Sequence, residues 1–120
     1  DKPVAFTFIR PSRHTYGFAE KFPHFTLSFF NEQQREILQF CGIHSGRDMD
    51  KESRLGLHPV EDPTGAVYYS EARLVLVCKK LYHQDLHSKQ FHEEWIDAKY
   101  ADKYYHRMYI SSIEKAFVRE

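Results

Sequence analysis

No sign of charge dominates this chain. Across 120 residues, 17 Lys and Arg balance 17 Asp and Glu, so the formal net charge is zero with histidine neutral. General nucleic-acid and acidic-membrane binders carry a basic excess, and its absence argues against both. Cysteine is scarce: Cys41 and Cys78 make no disulfide framework and read as free thiols in a reducing cytoplasm. No apolar run reaches the roughly 18 residues that span a bilayer. No signal-peptide pattern opens the chain, which passes from Asp1-Lys2-Pro3 straight into a strand pattern. Rossmann fingerprint, P-loop and H-E-x-x-H motif are all missing, as are repeats and low-complexity runs. The length suits one domain over residues 1–120. With no initiator Met and a strand starting at once, the chain is expected to be truncated at its N-terminus.

What the chain has is aromatic side chains: ten Phe, eight Tyr and one Trp. They suit a β-rich fold and leave rings over for a ligand pocket or subunit contact. Val4–Arg10 and Phe25–Phe30 read as strands around a helix over Arg13–Lys21, capped by Ser12, ended by Pro23 and expected to bury Tyr16, Ala19 and Phe18. Asn31 and Gln34 have capping-box spacing for a helix over Glu32–Phe40 that Gly42 closes. Leu57–Asp62 reads as irregular, Thr64-Gly65 as a turn and Val67–Tyr69 as a short strand. Ala72–Tyr82 is the strongest strand, apolar on both faces at its start, as in a sheet centre or barrel wall. His83–Lys103 reads as loop with one or two helical turns, and Arg107–Val118 as the last strand. Strands and helices do not alternate regularly, so a small, mainly β, antiparallel barrel with peripheral helices fits better than a doubly wound sheet.

Two turns carry anion-binding chemistry. Arg10, Ser12, Arg13 and Thr15 surround a strand-to-helix turn. Ser45, Gly46, Arg47 and Lys51 surround the start of a short helix expected from Asp48 onward. Arginine forks match phosphate oxygens, and hydroxyls and backbone N–H groups complete such a shell. From spacing alone, helix capping and solvated charge explain the same residues better than an anion site does. Cys41-x-x-His44 has ligand-like spacing, but no second close pair supports a metal. Cys41 ends an apolar helix and suits a buried thiol better than a nucleophile. His106, at the head of the last strand, is either a structural residue or a hydrogen-bond donor to a ligand.

The blocks FTFIRPSRHTYGF (Phe6–Phe18), FTLSFF (Phe25–Phe30), FCGIHSGRDMDK (Phe40–Lys51), LGLHPV (Leu55–Val60), EARLVLVCKKLYHQDL (Glu71–Leu86) and YHRMYI (Tyr105–Ile110) together resemble the flavin reductase family of FMN-binding split-barrel proteins, in its flavoredoxin-like branch. The resemblance implies an antiparallel split barrel, a homodimer, bound FMN and reduction of flavin by NADH or NADPH, with electrons passed to a downstream acceptor. It places Arg10, Ser12, Arg13 and Thr15 at the FMN phosphate and ribityl end. Ser45, Gly46, Arg47 and Lys51 form the second part of that shell, with Asp48 orienting it. Cys41 and Gly42 approach the ring system, and His106 stands where nicotinamide docks. The family's leading T-A-S-W-type segment has no counterpart here, and Ser111 stands where the family usually has glycine. A non-catalytic FMN-binding electron carrier and a dimerisation module on a degenerate barrel are the alternatives.

Overall fold

The computed structural model describes residues 2–36, 39–40 and 56–119. Its strands are β1 (Val4–Ile9), β2 (His24–Phe29), β3 (Pro59–Glu61), β4 (Val67–Tyr69), β5 (Leu74–Asp85) and β6 (Arg107–Val118). Among the described residues the helices that accompany them are α1 (His14–Lys21) and α2 (Glu94–Ala98), with 3-10 turns at Glu32–Gln34 and Ser88–Gln90; residues 35–36 and 39–40 are helical as well. Four strands make one antiparallel sheet in the order β1-β6-β5-β2, and β3 and β4 pair as a separate hairpin. The architecture is mainly β, a curled half-barrel of the split-barrel type, as the sequence led us to expect. The curl has a local cause. The long β5–β6 ladder shifts register between Val77 and Cys78 and again between Lys80 and Tyr82, and such bulges bend a strand and increase its twist.

The sequence pattern accounts for most elements. In β1, Ala5, Thr7 and Ile9 are half-buried while Val4, Phe6 and Phe8 point outward, the period-2 alternation of a strand with two unlike faces. β5 is buried on both faces at its start, with Val75, Val77 and Cys78 enclosed. The capping box forms: the Asn31 N–H donates to Gln34 Oε1 at 3.2 Å. The segment it caps begins as a 3-10 turn rather than an α-helix.

Three expectations need correction. Leu57–Asp62 is not irregular, because β3 lies within it. Pro59 is tolerated as the first residue of a strand in a two-stranded ribbon, where its missing N–H costs no ladder bond. Ser12 is not the cap of α1; Arg13 occupies that position with extended backbone. Phe18 does not face the core either and is 54% exposed.

The β3–β4 turn is held from within. Gly65, at φ +90, supplies a backbone conformation that other residues reach only with strain. The buried Asp62 carboxylate accepts from the Thr64 N–H at 3.1 Å and its hydroxyl at 2.8 Å. Lys115 Nζ of β6 reaches the same carboxylate at 3.1 Å and ties the hairpin to the sheet. Behind the hairpin lies the apolar cluster of Ala66, Ala72, Val75 and Val77, with Phe30 and Tyr68 packed against it. Small aliphatic residues thus fill that core, while Phe6 and Phe8, at 56% and 52% exposed, lie on the outer face of the sheet.

Glu71 clamps the other end of the hairpin. Its Oε1 accepts from the His58 backbone N–H at 2.8 Å, and its Oε2 meets His58 Nδ1 and the Ser70 hydroxyl at 2.8 Å each. The His58 backbone N–H, followed by the His58 ring and the Ser70 hydroxyl, lowers the Glu71 carboxyl from 4.5 to about 2. A carboxyl lowered on folding contributes stability that is present above its unfolded value and is lost as pH falls through the folded one. The unfolding free energy of the wild type is therefore expected to rise between about pH 2 and 4.5, and less steeply in Glu71→Gln. Urea titrations across that window check this; identical slopes for the two proteins would refute it.

Candidate functional site

The end of β1 and the head of β6 meet. Their register pairs Ile9 with Arg107, which brings Arg10 to the segment around His106. The connection from β5 to β6 folds over this end of the sheet and supplies most of the site. Arg10 Nη2 pairs with Asp102 Oδ1 at 2.8 Å, and its Nε donates to the Tyr104 carbonyl at 3.3 Å. The guanidinium lies 5.1 Å from the centre of the Tyr100 ring, within cation–π range. The Tyr100 hydroxyl is 2.5 Å from His106 Nδ1. Phe91 stacks on Tyr100 at 5.9 Å with an interplanar angle of 12°. Tyr105 lies 4.8 Å from Tyr100 and donates its hydroxyl to Asp97 Oδ1 at 2.6 Å. Burial, helped by the Arg10 charge, lowers the His106 pKa from 6.5 and so favours the neutral ring.

The turn after β1 holds the next predicted residues. The Arg13 N–H donates to the Arg10 carbonyl at 3.0 Å, and Ser12, Arg13 and Thr15 are all exposed. Arg13, His14, Phe18 and Lys21 line an open groove of about 320 Å³ with Pro11, Tyr16 and Gly17. Arg13 and Lys21 bring two cationic side chains to this open groove, beside the apolar Pro11 and Phe18. Arg10, expected at the FMN phosphate and ribityl end, and His106, expected where nicotinamide docks, both adjoin the Tyr100 ring. The remaining predicted residues, Cys41, Gly42, Ser45, Gly46, Arg47, Asp48 and Lys51, lie outside the described residues, as does the short helix expected from Asp48.

A second polar cluster lies where α1 packs on the sheet, and sequence reasoning missed it. Arg107 forks onto Asp85, with Nε to Oδ1 at 2.6 Å and Nη2 to Oδ2 at 3.1 Å, and its Nη1 also meets Glu20. Its guanidinium lies 5.7 Å from the Tyr16 ring centre. Lys80 Nζ donates to the backbone carbonyls of Ala19 and Glu20. The Arg107 hydrogen bonds lower the Asp85 pKa. Burial alone would raise Glu20, but the Tyr16 hydroxyl and the Arg107 charge outweigh it and the carboxyl ends lower. Nothing in the spacing of Glu20, Asp85 and Arg107 marks them as partners.

Among the described residues no three His, Cys, Asp or Glu side chains gather as metal ligands. Cys78 is a buried free thiol whose pKa burial raises, which leaves it a poor nucleophile. No helix among the described residues is long and apolar enough to cross a membrane.

The profile of the family described as "Flavin reductase like domain" matches residues 1–120. No curated protein matches the sequence. Flavoredoxin of Desulfovibrio vulgaris (Miyazaki F) superposes with a TM-score of 0.75 at 23% identity, over 98% of this chain and 54% of its own. An FMN-binding protein from Thermus thermophilus gives 0.73 at 21% identity, over 98% and 55%. Nitrilotriacetate monooxygenase component B from Bacillus cereus gives 0.75 at 13% identity, again over 98% and 55%. At these identities the structural likeness establishes the fold. The chain spans about half the length of the solved proteins it matches.

Proposed function

Because the chain belongs to the flavin reductase like domain family, we propose that it forms an FMN-binding oxidoreductase in which hydride passes from NADH or NADPH to the flavin. The observation that carries this is the family match along the whole chain. The open groove beside the turn after β1 supports it, since it brings the cations of Arg13 and Lys21 next to the apolar Phe18 and Pro11. When bound, FMN supplies the ring that accepts a hydride from nicotinamide.

The protein's own part is binding and orientation. Arg13, Ser12 and Thr15 hold the phosphate and ribityl end. Ser45, Gly46, Arg47 and Lys51 complete that shell, with Asp48 orienting it and Cys41 and Gly42 beside the ring system. Arg10, whose fork is engaged by Asp102 and the Tyr104 carbonyl, braces the Tyr100–His106 wall on the nicotinamide side rather than adding a free charge. The acceptor of the electrons that a bound flavin would carry is free flavin, a metal centre or another protein. The outward Phe6 and Phe8 suit a homodimer contact, and the buried free thiol of Cys78 suits the reducing cytoplasm.

The protein loaded with FMN and mixed anaerobically with NADH or NADPH is expected to lose its flavin absorbance far faster than free FMN does. If FMN stays bound but neither nucleotide bleaches it, the electron-carrier alternative replaces this proposal. If the protein never retains FMN, even in excess, the flavin site itself is refuted.

A further inference from the structure

We propose that Tyr100 is a positioning residue that holds His106 as a neutral imidazole protonated on Nε2, so that His106 meets its ligand as a hydrogen-bond donor to an oxygen acceptor rather than as a proton-transfer group. That a ligand lies on this side rests on the flavin reductase proposal; the tautomer itself does not.

The phenol sets the tautomer. Tyr100 is buried, and among the described residues its hydroxyl has one partner, His106 Nδ1 at 2.5 Å. A buried O–H needs an acceptor. It has one here only if Nδ1 is unprotonated, and then the ring proton sits on Nε2. Protonation of Nδ1 would turn the contact round and leave the phenol proton with no acceptor among the described residues. The doubly protonated ring fails for the same reason, and a cation opposes it as well. Arg10 lies against Tyr100 and is held there by Asp102.

The nearby carboxylates are engaged by partners other than His106. Asp102 takes Arg10 and the Tyr104 N–H, and Asp97 takes the Tyr105 hydroxyl with Lys103 at 3.6 Å. The Tyr100 ring cannot turn away, because Phe91 stacks on it and Tyr105 packs beside it. His106 is tied by its carbonyl to the Leu86 N–H at 3.0 Å. Among the described residues nothing meets His106 Nε2, and the proposed partner of its N–H is a ligand oxygen.

Long-range proton–nitrogen NMR on the full chain labelled with 15N-histidine reads the tautomer directly. At neutral pH the His106 signals are expected to show the Nε2–H pattern. In Tyr100→Phe they are expected to become a mixture of tautomers while the other histidines keep their patterns. An Nδ1–H or imidazolium pattern in the wild type overturns the proposal, and that arm needs no variant to fold. An unchanged Nε2–H pattern in Tyr100→Phe overturns the role of Tyr100. For the ligand side, His106→Gln places an amide N–H near Nε2. It is expected to keep the KM for the nicotinamide nucleotide within about threefold, against a rise of roughly tenfold or more in His106→Ala. Equal losses of kcat in both variants at unchanged KM would mark a proton-transfer group and overturn the donor role. Failure of FMN retention with the wild-type tautomer in place would instead refute only the flavin proposal.

Discussion

Arg107→Met is expected to lower the unfolding free energy by about 2–4 kcal/mol, read as a lower urea midpoint at an unchanged slope. The size reflects what the substitution leaves behind. Arg107 is the cation between two carboxylates, its side chain 20% exposed with Glu20 at 30% and Asp85 at 47%. Removing it strands both anions against a packed helix–sheet seam. The more exposed Asp85 recovers hydration, which holds the cost below that of a fully enclosed pair. Arg107→Lys is expected to recover only part of the loss, since an ammonium cannot fork onto Asp85 while meeting Glu20.

The acid limb gives a second check on the same residue. Glu20 and Asp85 are held below their ordinary values of 4.5 and 3.8. Their contribution is therefore present above those values and fades as acid protonates the folded carboxyls. Arg107→Met should flatten that fall in stability. An unfolding free energy within about 0.5 kcal/mol of the wild type, the range of ordinary surface substitutions, would show that the cluster does not hold the seam.

The second large effect concerns the proposed cofactor. Arg13→Ala and Arg47→Ala are each expected to weaken FMN binding by roughly 10- to 150-fold, the loss of about 1.5–3 kcal/mol that goes with a charged hydrogen bond. Fluorescence quenching of FMN titrated with protein gives the dissociation constants. Because FMN and riboflavin differ by the phosphate, the two variants should bind riboflavin about as the wild type does. Unchanged FMN affinity would return both arginines to capping and surface roles. An equal loss for riboflavin would mean that the substitutions disturb the fold rather than a phosphate contact.

Local patterns carried much of the architecture. The alternation of Val4–Ile9, the doubly apolar start of β5, the Asn31–Gln34 capping box and the Thr64-Gly65 turn each depend on residues a few positions apart. Each appears in the structure where sequence placed it. β3 escaped because Pro59 and Pro63 punctuate a segment too short to show a period, and pairing with β4 decides its conformation. Of the candidate site, sequence supplied the turn from Arg10 to Thr15 and the interest of His106, but not their partners.

Side-chain type, strand periodicity and the family were thus determined by the sequence itself, because they depend on neighbours along the chain and on blocks kept in order. Tertiary structure alone decided which charges meet. Antiparallel pairing of β1 with β6 sets Arg10 beside Asp102, 92 positions away, and pairing of β5 with β6 sets Arg107 on Asp85. An arginine carries the same five donors wherever it stands. Whether they face a ligand or a carboxylate depends on register and on how the connecting segment folds back, and no local pattern encodes either.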